Sequence, residues 1–311
     1  MNPSLTIFDG VELPSYFTMV TIGFLVGLVL AWRWARRHRL DHRLMVDFVI
    51  WMALWGIIGS RLLHVVADGH FWDYVHLCSD PSQVDWKVDV HECAALEGRW
   101  DESTGLCHPT ERNCWAWADI TAGGFAYYGG LIAAALFAWW FIRRHRLPVG
   151  KMLDLGGFAI TLGVAWGRMG CLLASCCFGA RWDGPLAVRF PPGSSPSRHH
   201  WELGLLDSYR IESLAVHPTQ AYESLGCLLL AAGVYFLLRP RKRFDGQVFV
   251  VAMIGYAVLR FALEFIRRDE RGGIGPLSTS QLVALLAVAI CAALWIVLSR
   301  RTRRALESTD G

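Results

Sequence analysis

Seven apolar stretches of about membrane-spanning length divide this sequence and restrict what it can fold into. A helix needs about 20 consecutive apolar residues to cross the hydrocarbon core of a bilayer. Hydrophobic residues make up 54% of the chain and charged residues 18%, which is typical of a polytopic membrane protein rather than a soluble domain. The predicted spans cover about residues 16–31, 45–66, 124–142, 153–178, 220–238, 247–266 and 280–298. We therefore predict an all-α polytopic membrane protein that forms one seven-span domain over residues 1–311.

Clusters of basic residues after alternate spans predict the orientation of the chain in the membrane. Loops rich in Lys and Arg stay in the cytoplasm, so the N-terminus is expected outside and the C-terminus in the cytoplasm. The net charge is only +3, and this distribution indicates topology rather than binding to nucleic acid. The clusters are Arg33, Arg36, Arg37 and Arg39; Arg143, Arg144 and Arg146; Arg239, Arg241, Lys242 and Arg243; and Arg300, Arg301, Arg303 and Arg304. Arg267, Arg268 and Arg271, after the sixth span, lie outside on this topology and break the rule.

Two long segments are expected on the outer side. Residues 67–122 form an insert with four cysteines, and in an oxidising compartment these predict two disulfides whose pairing the sequence leaves open. Zinc is the weaker interpretation, because the spacing has no C-x-x-C pair. Residues 180–216 are polar and contain the loop-forming run PPGSSPSRHH, which predicts a small cap or a gate. The cysteines of the insert are Cys78, Cys93, Cys107 and Cys114.

An arginine lies inside the fourth predicted span. At bilayer depth an arginine costs roughly 2.5–3.5 kcal/mol on insertion scales, so Arg168 needs an interior partner, a watery cavity or an anionic ligand. Gly167 and Gly170 flank it and allow another backbone or a bulky ligand to approach closely. On the predicted topology, further unusual polar residues gather toward the same outer face: Arg61, Tyr128, His217, Gln220, Tyr222, Glu223, Arg260, Glu264 and Arg267.

Several of these outer residues are arginines, and together they predict a site for an anionic group. The anions at that depth are lipid phosphates, and the planar guanidinium group suits phosphate because it donates two parallel hydrogen bonds. Arg260, Glu264 and Arg267 have i, i+4, i+7 spacing and therefore share one helix face. The alternative is an internal ion-pair network that only holds helices together. The set favours the phosphate, because cations outnumber nearby acids there.

Other polar and sulfur-bearing residues have plainer interpretations. Asp154 begins the fourth span, about 21 Å from Arg168 at helical rise, and is expected to cap a helix or to be a structural partner. Cys227 and Cys291 lie in apolar stretches and are expected to be small buried hydrophobes. For three cysteines close beyond Arg168, packing, a disulfide and a redox role all remain open: Cys171, Cys176 and Cys177.

Several motifs, taken in order along the chain, resemble one family. They are GGFAYYGGLIA, the spacing from Asp154 to Arg168, GRMGC, HPTQAYE, and R-x-x-x-E-x-x-R at Arg260, Glu264 and Arg267. With them the chain resembles the prolipoprotein diacylglyceryl transferases, which are seven-span enzymes of the bacterial inner membrane. That family moves the diacylglyceryl group of phosphatidylglycerol onto the thiol of a lipobox cysteine and releases glycerol phosphate.

The resemblance implies roles for particular residues. Arg168 and Arg260 would hold the phosphate, with Glu264 orienting Arg260. Tyr128 would hydrogen-bond the thiol or the phosphate, and His217 would be a reserve base or a residue that orders the head of the fifth span. The implied phosphatidylglycerol-binding residues are Arg168, Arg260, Arg267, Tyr16, Arg61, Gly129, Gly130, Gln220, Glu223 and Gly179. The implied partners are phosphatidylglycerol, prolipoprotein signal peptides with a lipobox cysteine, and the bilayer. We expect no cofactor, no metal and no nucleic acid.

The chain departs from the family pattern at two of these positions. The family commonly has histidine at Tyr128 and asparagine at Cys171, and the two outer segments exceed its minimal form. A non-catalytic lipid-binding or lipid-flipping protein on the same scaffold is therefore the alternative function. A thiol oxidoreductase that uses Cys176 and Cys177 is a third hypothesis, although it lacks a C-x-x-C pair.

Overall fold

The computed structural model describes residues 4–8, 11–67, 69–86, 88, 90–119, 123–267, 273–275 and 277–307. The chain separates into two compact units. The smaller unit is Arg43–Arg146, and the larger unit comprises Met1–His42 and Leu147–Gly311. The single membrane domain stays a prediction. Two residues of the rule-breaking basic cluster, Arg268 and Arg271, lie outside the described residues.

The described residues form α-helices and three short antiparallel strand pairs. The strand pairs are β1 with β2, β3 with β4 and β5 with β6, and a π-helical turn over Gly233–Leu238 continues α8. In chain order the elements are β1 (Ser4–Phe8), β2 (Val11–Pro14), α1 (Ser15–Arg37), α2 (His42–Ala67), α3 (Phe71–Ser79), α4 (Val90–Ala95), β3 (Arg99–Asp101), β4 (Leu106–His108), α5 (Tyr127–Arg144), α6 (Val149–Leu173), α7 (Ser195–Glu202), α8 (Thr219–Ala232), α9 (Gln247–Glu264), β5 (Gly273–Ile274), β6 (Leu277–Ser278) and α10 (Thr279–Glu307).

Most of the long helices can cross a membrane. Six in the described ranges are long and apolar enough: Ser15–Arg37, His42–Ala67, Val149–Leu173, Thr219–Arg241, Gln247–Glu264 and Thr279–Thr302. The third predicted span forms α5, which has only 18 residues, and its terminal Arg143 and Arg144 lower its hydropathy. Large apolar side chains such as Leu229 and Phe236 stay exposed, as a lipid-facing surface requires. The prediction of an all-α polytopic membrane protein is therefore confirmed, with six candidate spans among the described residues.

Helix α6 is the centre of the larger unit. It packs against α1, α8 and α9, and α9 also packs against α8 and α10. Ser224 of α8 donates a hydrogen bond to the Ala165 carbonyl of α6 over 2.9 Å, and both residues are buried. A long apolar helix surrounded by three others can hold polar side chains away from lipid.

The fully buried Asp154 joins the start of α6 to the start of α9. One carboxylate oxygen accepts the backbone N–H of Val248 at 2.9 Å, and the other lies 2.7 Å from Nζ of Lys242. Burial alone would lower the pKa of Lys242, but its hydrogen bonds to Asp154 and Asp245 raise that pKa above its usual value. The expected structural role of Asp154 is confirmed, and the helix that it caps is α9.

In the smaller unit, α2 and α5 approach closely through glycines. A Cβ on Gly130 would lie 2.9 Å from the carbonyl oxygen of Gly56. A Cβ on Gly129 would overlap the carbonyl oxygen of Gly59 and the side chain of Leu63. Small residues at such a seam let two helix backbones pack without intervening side chains.

The cysteine-rich insert of the smaller unit carries two disulfides. Cys78 is joined to Cys114 and Cys93 to Cys107, closing sequence separations of 36 and 14 residues. Cys93 of α4 and Cys107 of β4 are both buried, and Trp86 pairs with Cys107 through backbone hydrogen bonds. The predicted pair of disulfides is confirmed, and the structure supplies the pairing that the sequence left open.

Candidate active site

The arginine inside α6 pairs with a buried carboxylate of α8. Nε of Arg168 lies 2.9 Å from Oε2 of Glu223, whose side chain is fully buried. Tyr256 of α9 donates its hydroxyl hydrogen to Oε1 of the same carboxylate over 3.1 Å. The ion pair is made through Nε, and 19% of the Arg168 side chain stays exposed, so the guanidinium group can still meet an anion.

The head of α8 holds the chain that follows α6. The side-chain amide of Gln220 donates a hydrogen bond to the Cys176 carbonyl, and the Thr219 hydroxyl donates one to the Cys177 carbonyl over 3.0 Å. Both α8 residues are fully buried. Gln220 and Glu223, predicted to bind lipid, thus support the backbone and Arg168 from within the protein.

Gly179 lies where this segment crosses the entrance to α8. Its N–H donates to the His217 carbonyl over 2.9 Å, and a Cβ there would lie 2.6 Å from the Thr219 methyl group. The close approach explains the glycine by packing. A direct role in lipid binding stays a prediction.

Two more arginines lie in the last turns of α9 and just beyond its end at Glu264. Nη1 of Arg260 lies 2.8 Å from Oε2 of Glu264, and Nη2 of Arg260 donates to the Ser280 hydroxyl of α10 over 3.2 Å. The predicted i, i+4 pair is therefore present, and the carboxylate orients the guanidinium group. Arg267 is also buried and interacts electrostatically with Cys177. Arg168 interacts with the same cysteine, so Arg168 and Arg267 lie close to one group.

Three thiols lie beside these arginines. Sγ atoms of Cys171, Cys176 and Cys177 all lie within 4.8 Å of one another, and all three cysteines are free and partly buried. Tyr16 of α1 interacts electrostatically with Cys171 and Arg168. Its ring also packs on Gly170, where a Cβ would lie 3.1 Å from Cδ2. Tyr16 therefore lies close to Arg168 and the thiols, and its role in lipid binding stays a prediction.

A cavity opens from the thiols toward the 180–216 segment. Its volume is ≈ 950 Å³, enough for a drug-sized ligand or a lipid head group. Cys176 and Cys177 line one part, and Arg198, His199 and His200 of α7 line another. Burial, His199 and Arg181 lower the pKa of His200, and its Nδ1 accepts the Leu214 N–H at 3.3 Å. The cavity wall therefore combines arginines with a histidine that resists protonation.

His217 lies at the head of α8 in a mixed environment. Its ring stacks on Trp182, with the centroids 4.8 Å apart and 15° between the planes. Its Nδ1 lies 3.5 Å from the Tyr222 hydroxyl. This geometry accounts for a residue that orders the start of α8, and the role of reserve base stays a prediction.

Arg61, in the smaller unit, binds the protein itself. The buried guanidinium group donates to the carbonyls of Trp117 and Ala116 over 2.8 and 2.7 Å. It also donates to the carbonyls of Gly123 and Gly124. These four hydrogen bonds use most of the five N–H groups of an arginine. They indicate that Arg61 fixes the chain before α5, and its role in lipid binding stays a prediction.

The same unit contains the GGFAYYGGLIA residues. Tyr128 is 51% exposed at the start of α5, so its hydroxyl can meet a substrate. Gly129 and Gly130, which were predicted to bind the lipid, face α2 as described above. Helix packing accounts for both glycines, and their part in lipid binding stays a prediction.

Two contributions to the site were not predicted. Tyr256 lies four residues before Arg260, so the helical spacing that linked Arg260 to Glu264 also indicates this position. Ser280 had no signal, because its contact depends on how α10 returns beside α9. The sequence signal that identified Arg168, Arg260 and Arg267 was a charged residue within or beside an apolar stretch.

Comparison with known proteins gives this arrangement a family. The sequence model of prolipoprotein diacylglyceryl transferase matches residues 3–297. A phosphatidylglycerol–prolipoprotein diacylglyceryl transferase of Finegoldia magna is 28% identical over 279 residues, covering 90% of this chain and 88% of the relative. Enzymes of that name from Clostridium tetani and Gloeobacter violaceus are each 26% identical, covering 93% and 97% of this chain and 95% of each relative. The chain therefore belongs to the prolipoprotein diacylglyceryl transferase family.

Proposed function

We propose that this protein transfers the diacylglyceryl group of phosphatidylglycerol to the lipobox cysteine of prolipoproteins, the first step of bacterial lipoprotein maturation. The observation that carries the proposal is the Arg168 side chain, which the fully buried Glu223 holds through an ion pair at Nε. A guanidinium group held in this way suits the phosphate of a lipid. The family membership and the names of the relatives support the same reaction.

The reaction is a displacement at the glycerol carbon that bears the phosphate. The acceptor thiol loses its proton, since the thiolate is the nucleophile. The new C–S bond forms as the C–O bond breaks, and the electron pair leaves with glycerol phosphate. The phosphate gains negative charge in this step, and cations fixed in advance stabilise that change more than mobile ones. Arg168 and Arg260 supply these cations in our proposal, and Arg267 attracts the same anion.

The proposed role of Tyr128 follows from the position of its motif in the family. A tyrosine hydroxyl is a poor general base at neutral pH. We therefore assign it a hydrogen bond to the thiol or the phosphate, with proton removal left to another group. His217 is the reserve base in this proposal, because histidine is the side chain that most often serves as a general base.

The test is transfer in a defined system. Purified protein in phosphatidylglycerol vesicles with a labelled diacylglyceryl group should modify a lipobox peptide at its cysteine and release glycerol phosphate. Arg168→Ala should remove the activity, whereas Arg241→Ala should retain it, since Arg241 is exposed at the far end of the α8 span. Binding of phosphatidylglycerol without transfer would favour the alternative, a non-catalytic lipid-binding or lipid-flipping protein.

We also propose a location and an orientation. The protein is a multi-pass membrane protein, and the bacterial inner membrane is where lipoprotein precursors meet phosphatidylglycerol. The basic clusters place the N-terminus outside and the C-terminus in the cytoplasm. A single cysteine at the exposed Glu102 turn, in a variant without other reactive thiols, should react with an impermeant maleimide on intact spheroplasts. Labelling only after lysis would reverse the orientation.

A further inference from the structure

Three cysteines of the larger unit converge on one point by a specific local fold. Cys171 lies in the last turn of α6, while Cys176 and Cys177 follow the helix end at Leu173. Ser175 and Cys177 adopt left-handed backbone conformations, with φ of 57° and 60°, which residues other than glycine rarely adopt. The chain thereby turns back, and the Cys176 N–H donates to the Cys171 carbonyl over 3.1 Å.

Helix α8 holds this turn in place. The Gln220 amide and the Thr219 hydroxyl donate to the Cys176 and Cys177 carbonyls, and both donors are fully buried. Ser175, between the cysteines, is buried as well. The thiols are therefore fixed before any ligand arrives, which is the condition for a precise metal site.

The separation of the three sulfur atoms is compatible with their coordinating a single metal ion. Zinc–sulfur bonds measure about 2.3 Å, so three sulfurs around one tetrahedral ion lie about 3.8 Å apart. The observed limit of 4.8 Å reaches that value with small side-chain rotations. Three thiolates and one divalent ion carry a net charge of −1, and Arg168 and Arg267 lie within electrostatic reach of Cys177. The local charge and the sulfur–sulfur distances are therefore both compatible with one bound zinc-class ion.

We propose that Cys171, Cys176 and Cys177 bind one thiophilic ion of the zinc class and leave a fourth coordination position open. No further His, Cys, Asp or Glu of the described ranges joins the three sulfurs in the cluster. Zinc sites with three protein ligands hold water or substrate at the fourth position. The absence of a metal was the expectation from sequence, and the convergence of the thiols revises it.

The open position has a natural occupant in the thiol of the lipobox cysteine, and this step rests on the proposed function. The thiol replaces water on the ion and releases its proton to solvent, because a thiol that coordinates zinc is deprotonated. Its sulfur then attacks the glycerol carbon, the C–O bond breaks, and glycerol phosphate leaves with the electron pair. The thioether product dissociates from the ion, and water returns. Tyr128, a poor base, stands where the family commonly has histidine, so another source of thiolate is chemically useful here.

Metal binding is tested first, without reference to activity. Full-length protein purified with mild reductant should contain one zinc per chain. After chelation, Cd²⁺ should produce a thiolate charge-transfer band that saturates at one equivalent. Cys171→Ser, Cys176→Ser and Cys177→Ser should each weaken Cd²⁺ binding at least tenfold, while Cys227→Ser, a buried cysteine outside the cluster, should leave it unchanged. A chain lacking the band, or two mass units lighter than expected for two disulfides, would overturn the site in favour of packing or a third disulfide.

Activity is then measured on the same samples. Chelation should reduce lipobox modification at least tenfold with phosphatidylglycerol binding retained, and Zn²⁺ but not Mg²⁺ should restore it. Equal transfer by metal-free and loaded protein would overturn the activation of the acceptor thiol. If loaded protein binds Cd²⁺ and phosphatidylglycerol but never modifies the peptide, the proposed function fails while the metal site stands.

Discussion

Nε of Arg168 and Oε2 of Glu223 are 2.9 Å apart, and the carboxylate has no exposure to solvent. In a low-dielectric interior the attraction between the two charges is strong, but each partner is costly if left alone. Removing one member of such a pair costs about 3–5 kcal/mol. Arg168 is therefore held by a partner on another helix, and that partner by Tyr256.

Neutralising this partner should impair the site without removing the arginine. Glu223→Gln keeps the side-chain size and an acceptor for Tyr256, but it leaves Arg168 without a counter-charge. We expect lipobox modification to fall by at least tenfold, with weaker phosphatidylglycerol binding. Tyr256→Phe should show a smaller defect, and Tyr235→Phe is its control because the Tyr235 ring stacks on Phe158. Equal rates for the Tyr256 and Tyr235 variants would remove the hydroxyl from the mechanism.

The second arginine offers a similar experiment. Arg260→Ala should reduce transfer by about 10²–10³-fold, the usual effect of losing one charge-stabilising donor. Lysine should rescue poorly, because it cannot make a bidentate contact. Ser280→Ala removes only the α10 contact and should cost about 10- to 100-fold, since one hydrogen bond to a charged group contributes roughly 1.5–3 kcal/mol. Ser299→Ala on the same helix is the matched control, and initial rates decide between the variants.

Tyr128 distinguishes this chain from the common family pattern. If its hydroxyl orients the thiol or the phosphate, Tyr128→Phe should lower turnover by one to three orders of magnitude, roughly 1.4–4 kcal/mol of barrier. Tyr128→His should keep substantial activity, and His217→Ala should add its own defect. Tyr127→Phe is the matched control, because it removes a tyrosine hydroxyl at the adjacent position. If Tyr128→Phe turns over at the parental rate at saturating phosphatidylglycerol, the hydroxyl has no catalytic role and Tyr128 only lines the pocket.

The two disulfides set a clear expectation for thiol counts and stability. Of nine cysteines, five should react in denatured, non-reduced protein and all should react after reduction. Loop-closure entropy assigns about 3 kcal/mol to the shorter loop and about 4 kcal/mol to the longer. Replacing Cys78 and Cys114 by serine should therefore lower the unfolding temperature at least as much as replacing Cys93 and Cys107. Four additional thiols before reduction would contradict the pairing.

His200 predicts the direction of a pH effect. Its pKa in the folded protein is below the usual value, mainly because of burial, so the unfolded chain binds the proton more readily. Stability is therefore complete above about pH 6.5, the usual histidine value, and falls as the pH drops toward the lowered pKa. His200→Gln should flatten the decline in unfolding temperature between neutral and mildly acidic pH. His91→Gln, an exposed histidine, should leave the slope as it is, and an unchanged slope in both would exclude His200 as the source.

The sequence predicted the helices and the arginines of the site because both depend on local rules. Long apolar stretches predict spans, and charge within such stretches marks Arg168 and Arg260. The i, i+4 spacing likewise predicted the contact between Arg260 and Glu264, which the structure contains.

What the sequence could not predict depends on the three-dimensional approach of distant segments. Arg61 was predicted to bind the lipid because nothing in the sequence shows that the chain around Trp117 folds back onto it. Gly129 and Gly130 were predicted to bind the lipid, and nothing in the sequence shows that they pack against α2. The meeting of Cys171 with Cys176 and Cys177 depends on left-handed conformations at residues that normally avoid them.

The contact between Asp154 and the Val248 N–H gives α6 and α9 a common starting level. Both helices run away from that contact, and at helical rise Arg168 lies about 21 Å beyond Asp154 while Arg260 lies about 18 Å beyond Val248. The two guanidinium groups therefore reach the same depth through a bond located several turns away from them. A one-residue insertion in either helix between the contact and its arginine would rotate that arginine by about 100° and shift it out of line with the other. The number of residues between Asp154 and Arg168 therefore sets the depth of the Arg168 guanidinium group, and this spacing is part of the site.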